Sequence, residues 1–220
     1  MMLFVPAARP FLGRTTFRWS PPPRVHTLKL DSKISVLLGS SAPRMQHGGV
    51  NRAANRETER KFLVHADQVR RLLCTSQGTH LAQGYLCSEP DRTVRVRVAG
   101  MSGFLTIKGR THGCTRAEYE YPIPVEDARE LLNTLCVQPL IEKVRYRIPA
   151  KEAGLVWEID EFLGDNAPLI LAEIELPTPE TAFERPTWLA DEVTLDERYY
   201  NSALQKRPYR VWGTETDDSR

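Results

Sequence analysis

Charged and apolar residues alternate along seven or more short segments between residues 57 and 176. The apolar positions are mostly branched or aromatic, as where Val94, Val96 and Val98 flank Arg95 and Arg97. Successive side chains of a β-strand point to opposite faces, so this period of two predicts strands with one apolar and one charged face. The charged positions in phase are Glu57, Glu59, Lys61, Arg95, Arg97, Lys108, Glu118, Glu120, Lys143, Arg145, Arg147, Glu158, Asp160, Glu173 and Glu175.

Two other segments have a helical period instead. Residues 66–74 and 125–135 each place their apolar side chains on one helical face. These side chains are Val69, Leu72 and Leu73 in the first segment, and Val125, Ala128, Leu131, Leu132 and Leu135 in the second. A third helix is predicted to begin near Thr194, because Thr194-Leu195-Asp196-Glu197 fits a capping box.

Turn residues indicate which strands are neighbours. Residues 100–103 (Gly-Met-Ser-Gly) predict a hairpin turn, and Gly164-Asp165-Asn166 predicts a second turn before the last acidic strand. Antiparallel pairing would bring Arg95, Arg97 and Lys108 into one basic patch. It would bring Glu158, Asp160, Glu173 and Glu175 into a separate acidic patch.

The paired charges need an explanation beyond solubility. Charged alternation usually marks the solvent face of a half-exposed strand, but paired Glu or Arg on nearly every strand exceeds what solubility requires. In a closed barrel the charges can face one another in a polar interior. We therefore predict an α+β fold, with a closed antiparallel barrel of about eight strands that forms a polar tunnel and helices packed outside it.

Composition fits one such domain behind a basic extension. The 220-residue chain is 41% hydrophobic and has a formal net charge of +2. Residues 1–56 contain seven Arg and two Lys against the single acid Asp31, which gives them about +8 and leaves the rest about −6. The basic charge is therefore not a nucleic-acid footprint of the folded domain. The predicted divisions are the extension at 1–55, the domain at 56–208 and a polar tail at 209–220.

The extension is rich in Arg, Ser and Pro, which predicts disorder. Its first apolar run is far too short to span a membrane, and we expect no membrane partner. Either a transit peptide or an over-extended start ahead of Met45 would account for it. The cytoplasm is the expected compartment, with a mitochondrion or plastid as the alternative.

Several chemistries are excluded by pattern. The four Cys form no Cys-x-x-Cys pair and the five His form no His-x-x-x-His set, so a zinc site or redox dithiol is not expected. No Gly-x-x-x-x-Gly-Lys loop is present to bind phosphate through the backbone. We interpret Cys74, Cys114 and Tyr85 as ordinary core or loop residues.

The first strand indicates a metal and a phosphate. Glu57 and Glu59 lie on one face with Lys61, so two carboxylates could share a divalent cation while the ammonium binds a phosphate. The chain from about residue 56 to 207 resembles the CYTH superfamily, whose members are also called triphosphate tunnel metalloenzymes. Besides the first strand, the resemblance depends on the motifs Gln83-Gly84-Tyr85-Leu86, Arg95-Val96-Arg97, Glu118-Tyr119-Glu120, Trp157-Glu158-Ile159-Asp160 and Glu173-Ile174-Glu175. The small bacterial-type inorganic triphosphatases of this superfamily are the most similar. The departures are Thr58, where an apolar residue is usual, and the long extension.

The resemblance implies roles for individual residues. Glu57, Glu59, Glu173 and Glu175 would hold Mg²⁺ or Mn²⁺. Lys61, Arg95, Arg97, Lys108 and Arg145 would bind the triphosphate, with Arg198 closing one end. Asp160, Lys143 and Glu158 would be catalytic. Glu118, Glu120 and Glu158 stay open, because they could orient water, bind a second metal ion or pair with basic residues across the barrel.

The predicted activity is hydrolysis of tripolyphosphate to pyrophosphate and phosphate. Hydrolysis of thiamine triphosphate and cyclisation of ATP are the enzymatic alternatives. A non-catalytic module that binds polyphosphate or nucleotide is the alternative from another class, although such a module needs no metal-ligand set. The expected partner is a small-molecule triphosphate, and a homodimer stays open.

Overall fold

The computed structural model describes residues 55–214, and the predictions for residues 1–54 and for the tail beyond 214 lie outside this range. The helices in this range are α1 (Ala66–Leu73), α2 (Val125–Thr134) and α3 (Asn201–Lys206). None of them is long and apolar enough to cross a membrane. The strands are β1 (Arg56–Val64), β2 (Gly78–Glu89), β3 (Arg92–Ala99), β4 (Ser102–Gly109), β5 (Thr115–Ile123), β6 (Ile141–Pro149), β7 (Val156–Phe162), β8 (Ile170–Glu175) and β9 (Leu189–Glu192).

The strands form a closed antiparallel barrel, as predicted. Their order is β5-β4-β3-β2-β6-β7-β8-β1-β9, and β1 also pairs with β5. This additional pairing closes eight strands into a ring, with β9 attached beside β1. The closing contact is short, because only Arg56, Glu57 and Thr58 of β1 pair with β5, whereas residues 59–63 pair with β8.

The two predicted amphipathic helices cover the apolar outer face of the barrel. In α1, Val69 and Leu73 are buried in one cluster with Phe62 and Trp157. In α2, Ala128 and Leu132 are buried with Val96 of β3 in another cluster. The helix α2 can approach β4 closely because residue 103 is glycine, where a Cβ atom would lie 2.8 Å from the Ala128 Cβ atom. The alternation of each strand thus leaves its charged face for the interior.

Both predicted turns occur. Residues 100 and 101 connect β3 to β4, and Gly100 has a φ of 59°, in the left-handed region that favours glycine. A 3₁₀ turn at Gly164–Asn166 leads from β7 towards β8.

The prediction for the last helix was wrong at its start. A 3₁₀ turn spans Glu197–Tyr199, and extended backbone at Tyr200 separates it from α3. The cap of this turn is Asp196, whose carboxylate accepts the backbone N–H of Arg198 at 3.1 Å. Thr194 does not cap, because its hydroxyl accepts the backbone N–H of Lys61 at 3.0 Å. The hydroxyl therefore fastens the C-terminal segment to β1.

The interior of the barrel changes from charged to apolar towards α3. Along β6, β7 and β8 the inward positions end in Ile141, Phe162 and Leu171, which are buried in one cluster with Tyr199 and Leu204. Because Leu204 belongs to α3, this helix and the 3₁₀ turn before it close one end of the polar interior.

Candidate active site

A polar cavity of about 890 Å³ lies inside the barrel. Its wall comes from the inward faces of the strands, and Tyr200, Asn201 and Ser202 contribute from the start of α3. The following predicted site residues line it together: Glu57, Glu59, Lys61, Arg95, Arg97, Lys108, Glu118, Glu120, Arg145, Glu158, Glu173 and Glu175.

Acidic and basic side chains also alternate around the cavity, so each of the two predicted patches contains opposite charges as well. Antiparallel register sets Lys61 opposite Glu173, and their side chains form an ion pair. Lys108 lies opposite Glu118 at 3.0 Å and also reaches Glu57 at 2.8 Å. Turn residues predicted which strands are adjacent, but not that an acidic strand would lie beside a basic one.

The acidic groups divide into two kinds. Burial raises the pKa of Glu173, but Lys61 and Arg145 lower it more, and the net pKa lies well below the usual range. Burial raises the pKa of Glu59, and the nearby Glu173 carboxylate raises it further. Burial also raises the pKa of Glu175, with added repulsion from Glu57 and other carboxylates. Carboxylates that carry a raised pKa beside other acids are stabilised by a cation placed among them.

The donor set fits a hard divalent cation. Glu59 and Glu175 are Cα partners across β1 and β8, and Glu57 and Glu173 line the same cavity. Carboxylate oxygens are the ligands that Mg²⁺ and Mn²⁺ prefer. Among residues 55–214 no group of three His, Cys, Asp or Glu side chains already has the geometry of a metal site. Ion pairs of Glu57 and Glu173 with basic residues occupy those carboxylates instead.

The basic groups are crowded, which suits an anion. Burial lowers the pKa of Arg97 to about 10, and the neighbouring Arg95 lowers it too. Burial and then Arg95 also lower the pKa of Lys108. The Arg95 and Arg97 guanidinium groups share one acid, Glu120, at 3.2 and 2.9 Å. A bound polyanion would stabilise these three cations together.

Lys143 and Asp160 lie behind the cavity wall. The Lys143 side chain is 1% exposed and that of Asp160 is 0% exposed, and their Nζ and Oδ2 atoms are 2.5 Å apart. The same carboxylate accepts the Nε–H of Arg145 at 2.6 Å. Asp160 therefore orients Arg145, which does line the cavity, and direct contact of Lys143 or Asp160 with a ligand is not supported. Alternation along a strand predicts whether a side chain points into the barrel, but not whether it reaches the cavity.

Arg198, predicted to close one end, lies outside the cavity. Its guanidinium group pairs with Asp196 at 2.5 Å, and its side chain is 64% exposed. It also lies 5.5 Å from the ring centroid of Trp212. The closing residues come instead from the start of α3.

Sequence reasoning missed Arg116, Tyr85 and Cys114 as residues of the wall. Arg116 lies opposite Glu57 and donates to its carboxylate at 2.6 Å. The sequence did indicate Arg116, because this residue shares the inward-facing alternation of Glu118 and Glu120 along β5. Tyr85, interpreted as an ordinary core residue, also lines the cavity, as does Cys114.

Known proteins are similar to this chain over the residues that form the barrel. A family model for the CYTH domain matches residues 55–208, from the residue before β1 to just beyond α3. An inorganic triphosphatase of Acetivibrio thermocellus is 47% identical over 155 residues, which are 70% of this chain and 96% of that protein.

An inorganic triphosphatase of Nitrosomonas europaea is 37% identical over 151 residues, which are 67% of this chain and 95% of that protein. A crystal structure of an inorganic triphosphatase is 34% identical and covers 68% of this chain and 93% of its own, with a TM-score of 0.46.

Proposed function

We propose that this chain, which belongs to the CYTH family, is a triphosphatase that hydrolyses inorganic tripolyphosphate to pyrophosphate and phosphate. Two relatives that it matches over nearly their whole length are named inorganic triphosphatases. The observation that carries the proposal is the cavity itself, where basic side chains alternate with carboxylates of raised pKa. Such a lining has room and charge for a polyanion and a cation together.

The basic residues are proposed to bind the substrate. Arg95, Arg97, Lys108 and Arg145 would donate N–H groups to phosphoryl oxygens, and Lys61 would do so beside Glu59, which lies 3.2 Å from it. Phosphoryl transfer requires little covalent work from a protein, so neutralising charge and aligning the groups supply most of the rate. Asp160 would act from behind by fixing Arg145.

Family membership implies dependence on a metal ion, and we propose Mg²⁺ or Mn²⁺. Glu57, Glu59, Glu173 and Glu175 would hold it. When bound, it would neutralise charge on the phosphoryl oxygens and on the leaving group. The carboxylates of Glu118, Glu120 and Glu158 remain for orienting the attacking water or for pairing with the basic residues.

A phosphate-release screen of the full chain tests the proposal. Tripolyphosphate, thiamine triphosphate, ATP, GTP and pyrophosphate are compared with Mg²⁺, with Mn²⁺ and with a chelator, and cyclic AMP is measured in the ATP samples. We expect metal-dependent turnover that is fastest on tripolyphosphate and absent on pyrophosphate. Faster turnover of thiamine triphosphate or ATP, or production of cyclic AMP, would reassign the substrate. Binding without turnover of any triphosphate would contradict the enzymatic role.

A further inference from the structure

The inner face of β4 carries Phe104 and Thr106, two uncharged side chains to which the proposed function assigns no role. β4 lies between β3 and β5, so its inward residues meet arginines on one side and glutamates on the other. Thr106 is the Cα partner of Arg95, and Phe104 is the Cα partner of Arg97. Directly opposed residues of an antiparallel pair have their side chains on the same face of the sheet. Each of these two arginines therefore has an uncharged neighbour on β4.

The Thr106 hydroxyl connects a cation with an anion. Its Oγ1 atom accepts a hydrogen bond from Nη2 of Arg95 at 3.0 Å and donates one to Oε2 of Glu120 at 2.9 Å. Thr106 is 0% exposed, so both bonds are shielded from water. A hydroxyl can donate and accept at the same time, which an apolar side chain of the same shape cannot do. Thr106 thus fixes the direction of Arg95 relative to Glu120.

Arg95 is anchored through one atom of its guanidinium group. Both of its hydrogen bonds to the described residues use Nη2, which donates to Thr106 and, at 3.2 Å, to Oε2 of Glu120. The group is planar and carries its N–H donors in a rigid fork, so fixing one nitrogen restricts the orientation of the others. Arg95 also lines the cavity. Its orientation is therefore set before a ligand arrives, which lowers the entropy that binding costs.

Phe104 supports Arg97 in a different way. The guanidinium carbon of Arg97 lies 5.4 Å from the centroid of the Phe104 ring. This distance is typical of a cation–π interaction, which is stronger where water is excluded. The Nη2 atom of Arg97 also donates to the Glu120 carboxylate at 2.9 Å. The ring and the carboxylate together hold Arg97 in one orientation at the cavity wall.

We infer that β4 supplies two positioning residues for the arginines of β3 that are proposed to bind the substrate. Thr106 holds Arg95 through its hydroxyl, and Phe104 holds Arg97 through its aromatic face. Neither residue touches the triphosphate, so each acts on binding through its arginine. This inference rests on the proposed function and explains how two crowded cations keep a fixed geometry in the ligand-free cavity.

Single variants of the full chain test this inference. Thr106→Val removes the hydroxyl but keeps the branched shape, whereas Thr106→Ser keeps the hydroxyl. Phe104→Leu removes the aromatic face, whereas Phe104→Tyr keeps it. Thr58→Val is the matched control, because Thr58 is 5% exposed and its hydroxyl bonds that of Thr115 at 2.9 Å on the outer face. The measurements are the Kd of tripolyphosphate by calorimetry without a divalent metal, kcat and KM with it, and the melting temperature.

We expect Thr106→Val to raise the Kd of tripolyphosphate and to lower kcat/KM, each about 10-fold, because Arg95 loses the acceptor that orients it. Phe104→Leu should raise the Kd roughly 3- to 10-fold, as loss of a partly shielded cation–π contact requires. Thr106→Ser and Phe104→Tyr should bind as the wild type does. Thr58→Val also loses a buried hydroxyl and should leave the Kd unchanged.

Double variants separate positioning from general stability. If Thr106 acts through Arg95, Thr106→Val should have no further effect on the Kd in an Arg95→Ala background, because the group that it orients is absent. Phe104→Leu should likewise have no further effect in an Arg97→Ala background. A purely structural role would give the same loss with or without the arginine.

A wild-type Kd in Thr106→Val, an equal loss in Thr106→Ser, or a loss that persists beside Arg95→Ala would overturn the inference for Thr106. The corresponding results for Phe104 would overturn it there. If Thr106→Val does not fold, the hydroxyl is a structural requirement and its positioning role is contradicted, and the comparison of Phe104→Leu with Phe104→Tyr decides the second residue alone. Failure of the proposed function is recognised separately, because the wild type would then neither bind nor hydrolyse tripolyphosphate.

Discussion

Replacing Asp160 by Asn should destabilise the domain strongly, because it leaves Lys143 charged and enclosed. Lys143 is 1% exposed, and its other hydrogen-bond acceptor is Asn201 at 3.3 Å. Removing one partner of a buried ion pair costs about 3–5 kcal/mol. Without Asp160, the pKa of Lys143 would fall further below its wild-type value of about 8, so the enclosed lysine would lose its proton near neutral pH.

The pKa of Lys143 determines how the loss of stability in Asp160→Asn depends on pH. Burial lowers the pKa of Lys143 to about 8 even though Asp160 raises it. The pKa of Lys143 is higher in the unfolded chain, which therefore binds the proton more tightly than the folded protein does. The free energy of unfolding consequently rises with pH above about 8. Above that pH Lys143 is neutral in the folded wild type as well. The difference between Asp160→Asn and wild type should therefore shrink between pH 7 and pH 10.

Urea unfolding at both pH values and thermal unfolding at pH 7, each followed by circular dichroism, measure this loss. At about 2–4 °C per kcal/mol for a domain of this size, the melting temperature at pH 7 should fall by roughly 6–20 °C. The double variant Asp160→Asn with Lys143→Met should recover much of the loss, because it removes the unpaired charge. An Asp160→Asn variant within about 1 kcal/mol of wild type, or a double variant no more stable than the single one, would refute the supporting role of this pair.

Three further predictions concern the cavity. Glu59→Gln should lower metal-dependent turnover ~10²-fold or more with an unchanged circular dichroism spectrum, and wild-type turnover would refute its metal role. Arg95→Ala should raise KM for tripolyphosphate but leave the Kd for the metal unchanged. Lys108→Ala should change both constants, because Lys108 contacts the metal-ligand candidate Glu57 at 2.8 Å. Calorimetry with the metal alone separates the two effects. Burial raises the pKa of Glu118 from 4.5 to about 7, so in the folded state it binds protons more tightly and stability should fall as pH rises through that range. Glu118→Gln should flatten this fall in ligand-free unfolding experiments, and an unchanged slope would contradict the assignment.

Alternation in the sequence predicted the fold and the direction of most cavity side chains. It succeeded because a period of two is a local property, and because α1 and α2 cover much of the apolar outer face. The phase that predicted Glu118 also holds for Arg116, so that residue could have been found.

The distance of a side chain from the cavity and the identity of its hydrogen-bond partner could not be predicted in the same way. Lys143 shares the phase of Arg145 but lies two positions nearer the apolar end, where Ile141 begins the cluster around α3. The position of Thr194 depends on β1, more than a hundred residues earlier, so its local capping pattern was overridden by a tertiary hydrogen bond. These outcomes depend on which distant segments meet, and no short window of sequence contains that information.

The position of β1 in the barrel also affects how the protein is made. This strand is synthesised before every other described element, yet it pairs with β5, β8 and β9. Arg60 and its partner Glu192 are 132 residues apart, a distance that a ribosome covers in roughly 7–26 s at 5–20 residues per second. Until β8 has been made, one edge of the nascent strand has unpaired backbone. Ring closure therefore waits for the C-terminal third of the chain, and the emerging polypeptide is open to association with other nascent chains until then.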